Sequence, residues 1–288
     1  MTTVAPAQSR RAQQTGPLAH AHVSFPRVLR SEWIKFTTLR STPWTIGVTI
    51  AVMVLISLAM AWGMSQTAEM AASGDLPPEA QEGMTDPTAG AFAASFGYAF
   101  GQIVVVVLGV LLISGEYATG QIKSSIAAVP SRWPVLAAKG VLAAAVAFVT
   151  GVIGVAVAYV VTLPMLDQHD MAADLGNSEH LRVLLGAPLY LMAIALLSLG
   201  IAAMLRHSAA AISAVLGVIL VLPILTQFIT LDWLQDMAPY FPSTAGERIM
   251  GTDTGQEVLT PWEGLGVLGV YVAVVWIAAI VLLRRRDA

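Results

Sequence analysis

Six long apolar runs constrain the fold of this chain more than any other feature. They cover about residues 44–63, 92–113, 140–163, 183–204, 209–231 and 265–283. A helix needs about 20 mostly apolar residues to cross a bilayer core, and every run meets that length. Hydrocarbon leaves no water for unpaired backbone groups, so a run of this kind crosses as a helix. The fold class expected is therefore all-α: a polytopic membrane protein with six transmembrane helices. Composition agrees, with 56% hydrophobic and 11% charged residues against about 25% charged in soluble domains. There is no cysteine, which excludes disulfides, thiolate metal sites and cysteine nucleophiles. The first run, bracketed by Trp44 and Trp62, is not read as a signal peptide. Its leader is too long, and it exceeds the roughly 7–15 residues of a secretory core.

Charge sorts the connections into two sets. Thirteen of the 15 Lys and Arg residues fall in one set: Arg10, Arg11, Arg27, Arg30, Lys35, Arg40, Lys123, Arg132, Lys139, Arg206 and Arg284 to Arg286. Only Glu32, Glu116 and Asp287 join them. The other set holds the remaining fifteen acids and only Arg182 and Arg248. The excess of basic residues marks the cytoplasmic face, so both termini are expected there. Residues 1–23 are small and polar and read as a disordered cytoplasmic tail. Residues 24–43 read as an amphipathic interfacial helix, with Phe25, Val28, Leu29, Trp33, Phe36 and Leu39 on one face. Glu32 interrupts that face. It pairs locally with Lys35 at i+3 or meets a soluble partner. Residues 44–288 form the six-helix domain. Within its outer part, residues 232–263 carry Trp233, Met237, Tyr240 and Phe241, too apolar for a free loop. Short helices dipping back into the outer interface are expected there.

The segment Gly115–Lys139 is a mildly basic loop between the second and third runs. Within it Ala118–Val129 can form a short amphipathic helix, with Ile122, Ile126 and Val129 at i, i+4 and i+7, ended by Pro130. Such a helix can pass a push from a soluble partner into the bilayer. A plain connecting loop is the alternative, and the residues alone leave both open.

Several patterns fail on inspection. Gly115 and Gly120 have phosphate-loop spacing, but Gln121 and Ile122 stand where the lysine and hydroxyl are needed. Gly264-Leu-Gly266-Val-Leu-Gly269 matches a dinucleotide fingerprint without the strand it requires. It reads instead as small residues that let helices pack closely. The pair His20 and His22 lacks further ligands. No Asp, Glu, Lys, Arg or His lies within the bounds of any of the six runs, which argues against a proton relay or a catalytic site at membrane depth. Nothing suggests a nucleic-acid surface.

Five stretches resemble the ABC-2 type permeases, membrane subunits of ATP-binding cassette exporters. They are Ser31 to Trp44, Gly115-Glu-Tyr-Ala-Thr-Gly-Gln-Ile-Lys-Ser-Ser, Val129-Pro-Ser-Arg132, Pro242-Ser-Thr-Ala-Gly246 and the terminal Arg286-Asp-Ala. Their order and spacing carry the resemblance over nearly the whole chain. It implies a multi-pass protein of a bacterial plasma membrane that pairs as a dimer, expected to be a homodimer, and moves a substrate outward. It also implies a separate cytoplasmic ATP-binding subunit, which holds the ATP and Mg, while this chain binds no cofactor and has no catalytic or metal residues. The family's coupling segment maps onto Glu116, Tyr117, Gly120 and Gln121. Its translocation path maps onto Tyr98, Gln102, Thr226 and Gln227, with Pro223 as a kink. Interhelical hydrogen bonding is the simpler role for those four. A non-transporting membrane scaffold, sensor or immunity protein is the alternative function. An ATP-binding subunit recovered with the chain separates the two.

Overall fold

The computed structural model describes residues 24–74, 86–121, 133–251 and 258–285. The expected tail over 1–23, the acidic stretch 75–85 and the loop 122–132, with Lys123, Ile126 and Arg132, lie outside the described residues. A short helix α1 (Phe25–Thr38) precedes α2 (Ser41–Ser73). Helices α3 (Ala89–Ser95) and α4 (Tyr98–Thr119) follow, then α5 (Trp133–Asp167) and α6 (Ser178–Leu205). Helix α7 (Ser208–Leu216) runs through a π turn (Gly217–Val221) into α8 (Leu222–Phe228). After α9 (Asp232–Met237) and α10 (Pro242–Glu247) comes the last long helix, α11 (Pro261–Arg285). Six of these units are long and apolar enough to cross a membrane: α2, α3–α4, α5, α6, α7–α8 and α11. No strand occurs among the described residues.

Helix α6 is the hub. It packs against α4, α5 and α11, and 67% of its apolar window is buried, against 11% for α11. Its sequence explains the position. Gly186, Ala187, Ala193, Ala195, Ser198, Gly200 and Ala202 leave little side chain to hold neighbours away. In lipid, small residues permit the close approach from which helix packing draws its dispersion energy. A Cβ on Gly109 of α4 would lie 2.8 Å from the Ala195 carbonyl oxygen of α6. Of the three glycines in Gly264–Gly269, only Gly264 plays this part, against the carbonyl of Ala245. Gly266 and Gly269 have nothing within 4 Å.

Two irregularities sit inside membrane-length helices, and each is accommodated by a named group. The helix breaks at Phe96–Gly97 between α3 and α4. Ser57 of α2 bridges the break, its Oγ donating to the Ala94 carbonyl (2.9 Å) and accepting the Gly97 N–H (2.9 Å). A broken helix in hydrocarbon needs such a substitute. Any side chain at Gly97 would strike the Met53 backbone of α2. Before Pro223 the chain widens into a π turn, where the Leu222 N–H reaches the Gly217 carbonyl. Proline in a regular helix clashes with the carbonyl four residues back. The wider turn relieves that clash.

Several helices exceed the runs read from sequence. Helix α2 extends to Ser73, α4 to Thr119, and α5 begins at Trp133. The expected loop Gly115–Lys139 is therefore shorter. Gly115–Thr119 belong to α4, and Trp133–Lys139 to α5. Glu116 and Lys139 thus lie inside long helices. Their pairing with each other, Nζ to Oε1 at 2.9 Å, is what allows helix to continue through both charges. The apolar stripe of α1 also divides. Val28 and Phe36 pack on α5 with Leu29 beside them, while Phe25, Trp33 and Leu39 stay exposed.

Candidate functional site

Among the described residues, a buried polar cluster lies near each end of α4. The first joins three elements. Glu32 and Lys35 stand one turn apart on α1, on the face that Val28 and Phe36 press against Val135, Ala138, Leu142 and Val146 of α5. Lys139 lies on that same part of α5, and Glu116 in the last turn of α4. Together they close a ring of alternating charge. Lys35 Nζ donates to Glu32 Oε1 (2.7 Å) and Glu116 Oε1 (2.8 Å). Lys139 Nζ reaches Glu32 Oε2 (2.6 Å) and Glu116 Oε1 (2.9 Å), and donates also to the Leu112 carbonyl (3.1 Å). Two acids and two bases make the ring neutral.

The ring is dry except at one corner. The side chains of Lys139, Glu32 and Glu116 are 2%, 4% and 9% exposed, and that of Lys35 31%. Burying a lone charge costs several kcal/mol, and only close, complementary pairing repays it. Glu116 also sits at the unfavourable, negative end of the α4 dipole, which the two ammonium groups offset. Burial of Lys35 opposes its charge, yet hydrogen bonds and attraction from Glu116 and Glu32 outweigh it and raise its pKa above the ordinary 10.5. Among the described residues Glu116 Oε2 has no hydrogen-bond partner.

The other expected coupling residues surround this ring in distinct roles. Tyr117 is half-buried with the Arg206 guanidinium 5.3 Å above its ring, a cation–π contact that ties α4 to the end of α6. Gly120 closes α4 in the left-handed region, φ +71°, where only glycine sits without strain. Gln121 is exposed beside the cleft that Glu116 lines. The structure thus brings Glu116 and Gln121 to one cleft and turns Tyr117 toward another neighbour. Glu32 pairs with Lys35 at i+3, and beyond that pair it also meets Lys139.

The second cluster is built on Tyr190 of α6, which is fully buried. Its hydroxyl donates to Gln102 Oε1 of α4 (2.7 Å), while Gln102 Nε2 donates to the Ala99 carbonyl (3.0 Å). The Tyr98 ring meets Tyr190 edge-on at 5.4 Å. Glu247, at the end of α10, places Oε1 3.5 Å from the Tyr190 hydroxyl. Burial drives its carboxyl up from 4.5 to about 7, against a smaller lowering by Tyr190. Gly246 makes the approach possible, since a Cβ there would come within 2.9 Å of the Tyr190 ring. The connection between α8 and α11 therefore does contain short helices, and α10 is buried against α6 and α11.

Tyr98 and Gln102 thus come together in this cluster. Thr226 and Gln227 do not join it. Thr226 Oγ1 donates to the Pro223 carbonyl (2.7 Å), its own carbonyl accepts from Gln235 (2.7 Å), and Gln227 is exposed. Among the described residues no three His, Asp or Glu converge to hold a metal. Sequence reasoning passed over Tyr190, Glu247 and the role of Lys139. A signal for Lys139 was available: Glu32 and Glu116 are two of the three acids in the strongly basic set, and each needs a cation beside it. Nothing marked Tyr190 within its apolar run.

No curated protein matches the chain. A family model described as ABC-2 family transporter protein matches residues 28–288, which takes in both clusters and every membrane-length helix. The chain belongs to the ABC-2 transporter family, as a multi-pass membrane permease component of an ABC transporter.

Proposed function

We propose that this chain is the membrane half of an ATP-driven exporter and receives its energy at the charge ring. The observation that carries the reading is the junction of three elements at one neutral, buried ring. Helix α4 ends at Thr119 and α5 begins at Trp133, each within two turns of it. A displacement applied there by a soluble subunit reaches α1, α4 and α5 together, because Glu116 is held by Lys35 on one and Lys139 on the other. The excess of Lys and Arg at this end supports a cytoplasmic position, with both termini there and α1 lying in the headgroup region. A separate ATP-binding subunit, with its ATP and Mg, docks on this face of a plasma-membrane homodimer. Glu116 is a positioning residue in this account, and the exposed Gln121 stands where a docked subunit meets the chain. Tyr98 and Gln102 border the path within each copy, and Thr226 and Gln227 border it from α8.

The test is co-purification of the ATP-binding subunit and stimulation of its ATPase. Glu116→Lys puts three cations at one buried point and is expected to abolish stimulation. Gln121→Trp, on an exposed position, is expected to weaken assembly while leaving the fold intact. Unchanged assembly and unchanged stimulation in both variants overturn the proposal.

A further inference from the structure

The elbow between α1 and α2 carries an exposed surface that is apolar and basic together. Trp33, Ile34 and Leu39 are 52%, 51% and 54% exposed, and Trp44, in the first turn of α2, is 77% exposed. Arg30 stands three residues before Trp33 and Arg40 four residues before Trp44, and both arginines are exposed. Arginine beside an exposed indole on one helix face is the pairing of a membrane interface. The ring rests at the level of the headgroups while the guanidinium reaches the phosphates.

The surface is held in one shape from behind. Val28 and Phe36 fix α1 on α5, and Thr42 locks the elbow. Its hydroxyl donates to the Phe36 carbonyl (2.7 Å) and its N–H to the Leu39 carbonyl (3.1 Å). The exposed hydroxyls of Thr37 and Thr38 turn back to the carbonyls of Trp33 (3.0 Å) and Ile34 (2.9 Å). The charge here also has one sign. Glu32 and Glu116, the acids of this end among the described residues, are both taken up in the charge ring. A zwitterionic headgroup on Arg30 or Arg40 brings an ammonium with no carboxylate to receive it. A phosphodiester carrying a neutral alcohol brings only the negative charge that the arginines complement.

We infer that the elbow selects anionic phospholipid of the phosphatidylglycerol kind, with headgroup phosphates on Arg30 and Arg40 and the indoles of Trp33 and Trp44 beside the glycerol. Lipid bound there holds α1, and through Glu32 and Lys35 the ring, at a fixed depth in the leaflet. The inference rests on the placement of α1 in the headgroup region. It does not involve the soluble subunit, so lipid selection and ATPase stimulation fail or succeed separately.

The experiment is photocrosslinking of the full chain in nanodiscs of equal phosphatidylglycerol and phosphatidylcholine with matched acyl chains. The photoreactive group sits near the headgroup, on phosphatidylglycerol in one preparation and on phosphatidylcholine in the other. Labelled residues are then mapped by mass spectrometry. One cation at an anionic surface is worth about fivefold in binding. Phosphatidylglycerol is therefore expected to label α1 and the first turn of α2 at least about fivefold more than phosphatidylcholine. Arg30→Gln and Arg40→Gln, both at exposed positions that leave the fold intact, should each lower that labelling about fivefold. Arg30→Lys keeps the charge and should keep the preference. Equal labelling by the two lipids overturns the inference, as does phosphatidylglycerol labelling that survives unchanged when both arginines are replaced by Gln. Labelling by neither lipid also overturns it, because a protein surface then covers the elbow.

Discussion

The ring at the end of α4 and the tyrosine cluster near its start solve the same problem differently. Each buries a carboxylate among apolar helices. In the ring, Glu116 and Glu32 each meet two ammonium groups within 2.9 Å. In the cluster, the partner Glu247 meets among the described residues is a hydroxyl at 3.5 Å, and that hydroxyl lies closer to Gln102, at 2.7 Å. A hydroxyl carries one proton. Gln102 at 2.7 Å competes for it, so the 3.5 Å contact compensates the Glu247 carboxylate only weakly. The pairing available to an acid, rather than its burial, decides whether it stays charged. The ring is accordingly a fixed brace, while the cluster responds to pH near neutrality.

The strongest way to break this contrast is to unbalance the ring. Lys139→Met leaves two buried carboxylates with only half-exposed Lys35 between them. Removing one partner of a buried pair costs about 3–5 kcal/mol, so the variant should lose that much stability to denaturant in detergent, or fail to accumulate. Adding Glu116→Gln should recover part of the loss, with a coupling of about 0.5–3 kcal/mol in a double-mutant cycle. Simple additivity would show that the ring is not a unit.

The cluster should respond to pH instead. The Glu247 pKa is raised from 4.5 to about 7, so the folded state holds the proton more tightly than the unfolded chain. Stability from this group is then fully present below about pH 4.5 and is lost as pH rises through about 7. Each tenfold gain in proton affinity is worth about 1.4 kcal/mol, and partial exposure reduces the total to about 1–2 kcal/mol. Melting temperatures of the wild type should fall between pH 5 and pH 8. Glu247→Gln should flatten that fall, and an unchanged slope would refute the assignment.

These two clusters differ also in how far sequence revealed them. The six spans were legible, because length and apolarity alone impose them in hydrocarbon. So were the short helices between α8 and α11, since Trp233 to Phe241 is too apolar for a free loop. The ring was legible only in pieces. Glu32–Lys35 followed from i+3 spacing, but Lys139 lies 107 residues from Glu32 and Lys35 81 from Glu116. A charge ends an apolar run when it is read alone, so Glu116 and Lys139 were assigned to a loop. Their neutralisation belongs to the packed state. Tyr190 fared worse, as one tyrosine in an apolar helix has no period and its partners lie on α4 and α10. The break at Gly97 likewise depends on Ser57, 40 residues away.

A milder change sharpens the cluster from the other side. Tyr190→Phe keeps the ring packed on Tyr98 and Gly246 but leaves Gln102 Oε1 without its donor. The expected loss is about 1 kcal/mol. The same hydroxyl lowers the Glu247 pKa, so removing it should move the midpoint of the pH-dependent fall upward. A displaced midpoint distinguishes loss of this contact from general loosening of the core.

The smallest effect is expected at Lys35, and its sign follows from the same comparison. Lys35→Met removes the most exposed corner of the ring, while Lys139 still contacts both carboxylates. The loss should resemble that of a surface ion pair, about 0.5–1 kcal/mol, well below that of Lys139→Met. The folded-state pKa of Lys35 is raised above 10.5. Its contribution is therefore fully present below 10.5 and lost only as pH rises through the higher value. Between pH 5 and pH 9 the difference between Lys35→Met and wild type should be constant, while that between Glu247→Gln and wild type changes. A Lys35→Met difference that varied with pH near 7 would mean that ring and cluster titrate together. The brace and the responsive cluster would then be one coupled system along α4.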